Sequence, residues 1–213
     1  MLRLFAATVI VTIALGELYV SWQRLIGLQG WQSIVLLHGL IALVLFASSR
    51  KTQGQFKAKF LDAWSFIPAV VALVGSSAMA IVFPSEGRFS LAGQNLGFLI
   101  ASSTVIPVFE EVVFRGGVSR ILSKAHPGVW SGYFSALVFS AAHTTPSFAR
   151  VLSLQVGVPL GPFLLAVICE FLVRRTNSLL PAIAFHCACN STVLIFQWWS
   201  PGWLDHLSAF YLR

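Results

Sequence analysis

Residues 97–119 read GFLIASSTVIPVFEEVVFRGGVS, an oily run of membrane-crossing length into which Glu110, Glu111 and Arg115 are set. The length of the run decides the fold class, because about 20 predominantly apolar residues in a helix cross a hydrocarbon core of roughly 30 Å. The charges inside it point to function. Ionised side chains at the bilayer centre cost about 2.5–3.5 kcal/mol each even on lenient insertion scales, so a cluster of them marks a working site.

Outward from this stretch, similar segments lie almost end to end at about 4–22, 31–49, 63–83, 129–147, 151–172 and 179–199. With 57% apolar and 10% charged residues among 213, the composition is foreign to soluble domains. The expected architecture is an all-α polytopic membrane protein of about seven transmembrane helices. It forms a single membrane domain over residues 1–213, without a soluble domain, a long linker or an internal repeat. The apolar run after Arg3 continues to Trp22 and lacks a small-x-small cleavage site, so it reads as the first span and not as a signal peptide.

Orientation follows from Lys and Arg in the connections. Arg50, Lys51, Lys57 and Lys59 follow the second span, Arg120 and Lys124 the fourth, and Arg174 and Arg175 the sixth, whereas the opposite connections carry only Arg24, Arg88 and Arg150. The richer connections are expected on the cytoplasmic side. The N-terminus is then cytoplasmic and the tail from Pro201 to Arg213 lies outside. The net charge of +7 comes largely from this bias; a nucleic-acid partner would need a basic patch on a folded soluble module, and neither is visible. Cys169, Cys187 and Cys189 all fall in spans, where a thiol behaves as a small hydrophobe, so neither a disulfide nor a Cys-based zinc site is expected.

The break at Ala125-His126-Pro127-Gly128 folds the fourth and fifth spans into an antiparallel hairpin. Glu110 precedes the midpoint of that hairpin by as many residues as His143 follows it, so the two are expected at one depth, about 20–25 Å along their helices from the turn. The last hairpin turns near Asn177 and brings His186 and Asn190 in from the same side, one helical turn apart on one face. A buried Glu beside a His is what water activation requires, since burial and neighbouring groups together set a carboxylate as a general base. His186 and Asn190 would be donors to the oxyanion formed when water attacks an amide carbonyl. Glu111 points about 100° away from Glu110 around the helix, and Arg115, four residues on, can pair with it and position the site. The catalytic cavity is expected between the fourth, fifth and seventh helices. Pro107 is expected to kink the fourth and make room for it.

Glu110 to Arg115 matches EExxxR, Phe139 to His143 matches FxxxH, and His186 to Asn190 matches HxxxN, in that order and each within a span. The chain here resembles the CPBP family, the CAAX protease and bacteriocin-processing group of intramembrane glutamic endopeptidases. The likeness covers a core of about residues 97–199. It implies that Glu110 and His143 activate water, that His186 and Asn190 stabilise the oxyanion, and that Glu111 and Arg115 support the first glutamate. Residues Arg174 to Pro181 are similar to the family's approach to its third motif. The likeness also implies no metal cofactor; zinc stays open, and would need His143 and His186 to bind together with Glu110 or Glu111.

Several polar residues have plainer readings. Glu170 is expected to pair with Arg174 at i+4. His38 lines a cavity or makes a structural polar contact, Glu17 pairs with Arg24, lines a cavity or lies near the outer interface, and His126 and His206 are loop residues. Gly157 and Gly161, flanked by Pro159 and Pro162, mark either a close helix contact or a broken helix. Trp198, Trp199 and Trp203 fit an interfacial belt.

The function expected is hydrolysis of a peptide bond in a membrane-associated protein or peptide by a Glu/His-activated water. The setting expected is the bilayer of a bacterial cytoplasmic membrane. The competing expectation is a non-catalytic membrane protein, either a proton-coupled carrier or a binding and immunity scaffold that uses the same buried pair. The broken inverted repeats typical of carriers are not evident.

Overall fold

The computed structural model describes residues 1–27, 30–56, 63–83, 95–144, 150, 153 and 157–199. Apolar runs without water to satisfy their backbone must close their hydrogen bonds internally, and here they do so as helices. These are α1 (Leu2–Ile26), α2 (Trp31–Ser48), α3 (Ala63–Val82), α4 (Leu96–Ala125), α5 (Val129–Ala142), α6 (Leu160–Thr176) and α7 (Leu180–Trp199), and no strand occurs among the described residues. Lys57, Lys59, Arg88, Pro146, Trp203, His206 and the tail lie outside the described residues.

Helices stand at all seven expected places, yet among the described residues only α1, α2, α3, α4 and α7 are long and apolar enough to cross a bilayer. The 14 residues of α5 reach about 21 Å, and that helix stops at Ala142, short of the expected 147, with His143 at its cap. Helix α6 begins at Leu160 behind Pro159, well after the expected 151. The missing N–H of Pro162 falls harmlessly in its first turn. Gly157 therefore lies outside the helix, and the GxxxG spacing does not form one helical face. Asn177 closes α6 in the left-handed region (φ 51°), at the expected turn.

One end of the bundle is stitched together. Leu179 N–H and Ser178 Oγ both donate to the Gln55 carbonyl, at 2.8 and 3.1 Å. Arg120 donates to Ser49 Oγ at 2.6 Å, and Arg174 to the Gly128 carbonyl at 3.0 Å. The three basic connections thus share one end, as a consistent charge bias requires. Glu170 pairs with Arg174 at 2.7 Å as expected and also accepts from Ser119 Oγ at 2.8 Å, joining α4 to α6.

Within the bundle α7 packs along α3 and α4, α6 against α5 and α7, α1 over α4 and α5, and α2 along α4. Gly39 sets the α2–α4 crossing, because a Cβ there would lie 3.0 Å from the Phe109 ring. Isoleucine, leucine and valine side chains such as Ile10, Leu43, Val71 and Ile81 point outward, as lipid-facing positions should. Trp198 is exposed as a belt residue would be, but Trp199 is 2% exposed and packs near Phe83 and Phe196. Cys169, Cys187 and Cys189 are free thiols.

Candidate active site

Helix α4 carries the first motif in an unusual backbone. Two π-helical stretches, Ala101–Val105 and Val112–Val118, bracket the α-helical Ile106–Glu111. Each π turn admits an extra residue and rotates the facing of the residues after it, a device common at functional sites. Pro107 falls in the first turn of the central segment, behind the first π stretch, so the helix runs through it. Glu110 and Glu111 are then presented on different faces, and both are buried.

Glu111 is fully enclosed. Its Oε2 accepts from Arg115 Nε at 3.1 Å and its Oε1 from His186 Nδ1 at 2.9 Å. The Arg115 guanidinium lies 5.3 Å from the centre of the Phe139 ring, a cation–π contact. Its two terminal nitrogens are enclosed without a hydrogen-bond partner among the described residues. His186 Nε2 lies 3.6 Å from Glu110 Oε2, so one imidazole bridges both carboxylates. Two glutamates and one arginine leave one negative charge uncompensated in a medium that tolerates none. One proton shared among His186 and the two carboxylates it bridges brings the sum to zero.

Glu110 also faces a cavity of about 400 Å³ bordered by Leu15, Tyr19, Leu37, His38, Phe114 and His143, among others. Glu110 and His143, expected at one depth on neighbouring helices, are brought to the same cavity. His143 Nδ1 donates to the Phe139 carbonyl at 2.9 Å, the helical i−4 partner. That bond fixes the tautomer and leaves Nε2 with its lone pair, ready to accept a proton or a water hydrogen. Phe139, the first residue of FxxxH, lies tilted against His143 at 4.8 Å, meets His186 edge-on at 5.7 Å and meets Phe114 edge-on at 4.9 Å. It is the hub that holds both imidazoles and the guanidinium.

Asn190, on the His186 face of α7, donates to the Ser102 carbonyl at 2.8 Å. That bond satisfies α4 backbone within the first π stretch and leaves the second amide hydrogen to donate elsewhere. His186 and Asn190 both reach α4, as a shared face predicts, but neither borders the cavity. The cavity walls come instead from α1, α2, α4 and the end of α5. The expectation from sequence placed the catalytic cavity on the fourth, fifth and seventh helices and gave α1 and α2 only Glu17 and His38 as alternative cavity liners, since neither helix carries a motif. Glu17 is exposed and is not part of the cavity wall. Among the described residues no three of His, Cys, Asp and Glu are arranged to hold a metal ion, and His186 has both nitrogens turned to carboxylates.

The family model for type II CAAX prenyl endopeptidase Rce1-like proteins matches residues 92–192. No curated protein and no solved structure matches the chain. The matched stretch takes in α4, α5, α6 and α7 through Asn190, and so all three motifs and every contact between the two glutamates and His186. The matched family is in general one of proteases and implies a membrane-associated protein or peptide substrate, and the spanning helices make the protein an integral membrane protein. The match over residues 92–192, a little under half of the 213-residue chain, supports membership of the CPBP family, the CAAX protease and bacteriocin-processing group.

Proposed function

We propose that the protein is an intramembrane endopeptidase in which Glu110 and His143 activate a water molecule against a peptide carbonyl. The observation that carries this reading is the joint facing of Glu110 and His143 onto one cavity inside the apolar bundle. Water oxygen attacks the carbonyl carbon while its proton passes to Glu110, with His143 Nε2 accepting the second water hydrogen bond. Collapse of the tetrahedral intermediate breaks the C–N bond, and the proton held by Glu110 goes to the leaving amine. Glu111 and Arg115 position Glu110 through His186. On α7, His186 through Nε2 and Asn190 through its second amide hydrogen are the donors assigned to the oxyanion.

The reaction as written uses no metal. The substrate is a membrane-associated protein or peptide that presents an unwound or terminal segment to the cavity. We place the protein in a bacterial cytoplasmic membrane with the basic end of the bundle and the N-terminus in the cytoplasm.

The test is quantitative mass spectrometry of new protein termini in membranes containing equal amounts of wild type or Glu110→Gln. Termini that disappear in the variant identify a protease and its substrates. Identical termini in both would sink the proposal and favour a carrier or binding role for the same buried charges.

A further inference from the structure

We propose that His38, on α2, is an additional catalytic residue that donates a hydrogen bond to the substrate carbonyl oxygen across the cavity from Glu110. The inference rests on the protease reading above. It starts from the position of the side chain, since His38 borders the same cavity as Glu110 and His143. Its place is fixed by the helix crossing: Gly39, the next residue, meets the ring of Phe109, the residue before Glu110. The two helices thus approach so closely beside these groups that a Cβ at residue 39 would lie 3.0 Å from the Phe109 ring. Phe114 lies beside the imidazole, with ring centres 6.4 Å apart.

The ring's chemistry is also constrained. Nδ1 is enclosed and has no hydrogen-bond partner among the described residues. An enclosed N–H without an acceptor is less tolerable than a bare ring nitrogen, so the neutral ring keeps its hydrogen on Nε2. His38 is then a donor with no competing bond. The donors on α7 differ. His186 is engaged by two carboxylates and Asn190 by the Ser102 carbonyl, and neither borders the cavity. A substrate carbonyl in the cavity therefore meets His38 on the α2 wall. As water oxygen adds to carbon and its proton moves to Glu110, the carbonyl electron pair shifts onto oxygen, where the His38 N–H holds it. His38 keeps its proton throughout, and the leaving amine takes the one from Glu110.

The experiment compares wild type, His38→Ala, His38→Gln and Glu110→Gln in detergent or nanodiscs, with a peptide spanning a cut site mapped by the termini measurement. Loss of one oxyanion donor lowers kcat by about 10²–10³-fold, so His38→Ala is expected to show that loss with KM within about threefold of wild type. His38→Gln, which restores an N–H donor, should recover at least tenfold. Thermal unfolding of each variant separates loss of fold from loss of chemistry, and His38→Leu replaces His38→Ala as the donor-free variant if the latter unfolds. Wild-type kcat in a donor-free variant, a loss confined to KM, or a Gln variant no better than Ala would each overturn the role of His38 while Glu110 dependence persists. Absence of any Glu110-dependent cleavage would overturn the protease reading itself, and this inference with it.

Discussion

Removing Arg115 alone should be far more damaging than removing it together with the charge of Glu111. Both side chains are fully enclosed and joined at 3.1 Å. In Arg115→Met the two glutamates face only His186, so the charge at the site moves from zero to minus one. In Glu111→Gln it moves to plus one, with the amide oxygen still able to accept from His186 Nδ1. In the double variant the remaining Glu110 and His186 again sum to zero, and Met places a thioether beside the Phe139 ring, a favourable contact. Breaking a buried pair from one side costs about 3–5 kcal/mol, whereas replacing both partners is often close to neutral. Each single variant is therefore expected to shift the unfolding equilibrium by about 10²–10⁴-fold, taking about 1.4 kcal/mol per decade. The double should return to within about tenfold of wild type. Unfolding of the purified protein by SDS titration in mixed micelles, followed by circular dichroism, reads all four corners of the cycle. Additive single effects, with a double variant worse than either, would refute the charge-balance account of the site.

Gly132 on α5 faces the Glu170–Arg174 pair, and a Cβ there would lie 2.7 Å from Glu170 Cγ and 3.1 Å from Arg174 Nε; Gly132→Ala gains about 1 kcal/mol of helix propensity but must displace an anchored carboxylate at about 1–3 kcal/mol, so a lowered Tm is expected, and a raised one would show that α5 and α6 can separate freely. Peptide cleavage by the purified protein is expected to survive prolonged dialysis against a strong zinc chelator within about twofold; loss that added zinc restores would replace the metal-free reaction with a metal-assisted one.

The parts of this fold legible in the sequence are those whose signal is carried by single residues. Asn177 announces its turn because few other residues tolerate φ near 50°. The matched offsets of Glu110 and His143 from the 125–128 break announce their meeting, because an antiparallel hairpin converts sequence distance into depth. The Glu170–Arg174 pair follows from helical spacing alone. The hidden parts depend on the path of the backbone. A π turn leaves no mark in an all-apolar pattern, so the two around Ile106–Glu111 are invisible in the sequence, and with them the reason that Pro107 does not break α4. The partner of His186 is hidden for the same reason: its spacing with Asn190 gives the face, but which carboxylate that face meets depends on the rotation that the π turns impose. The late start of α6 is marked by Pro159 and Pro162, whose meaning in the sequence is divided between a contact and a break.

The cavity shows why motifs alone underdetermine this site. All three motifs lie on α4, α5 and α7, and their shortest polar contacts run between α4 and α7, in enclosed space where Glu111, Arg115 and His186 compensate one another. Glu111 and Arg115, so well satisfied, hold the geometry but offer little to a substrate. Glu110 differs in having one side toward His186 and the other toward the cavity, and only on that second side do α1 and α2 enter. Under the proposed reaction a substrate segment at Glu110 would meet helices that carry no motif, and Leu15, Tyr19 and Leu37, which border the cavity, would be free to vary the substrate while His38 and the enclosed charges stay fixed. On this reasoning selectivity falls to the apolar cavity residues of α1 and α2, whereas the reaction draws on both halves of the chain through His38.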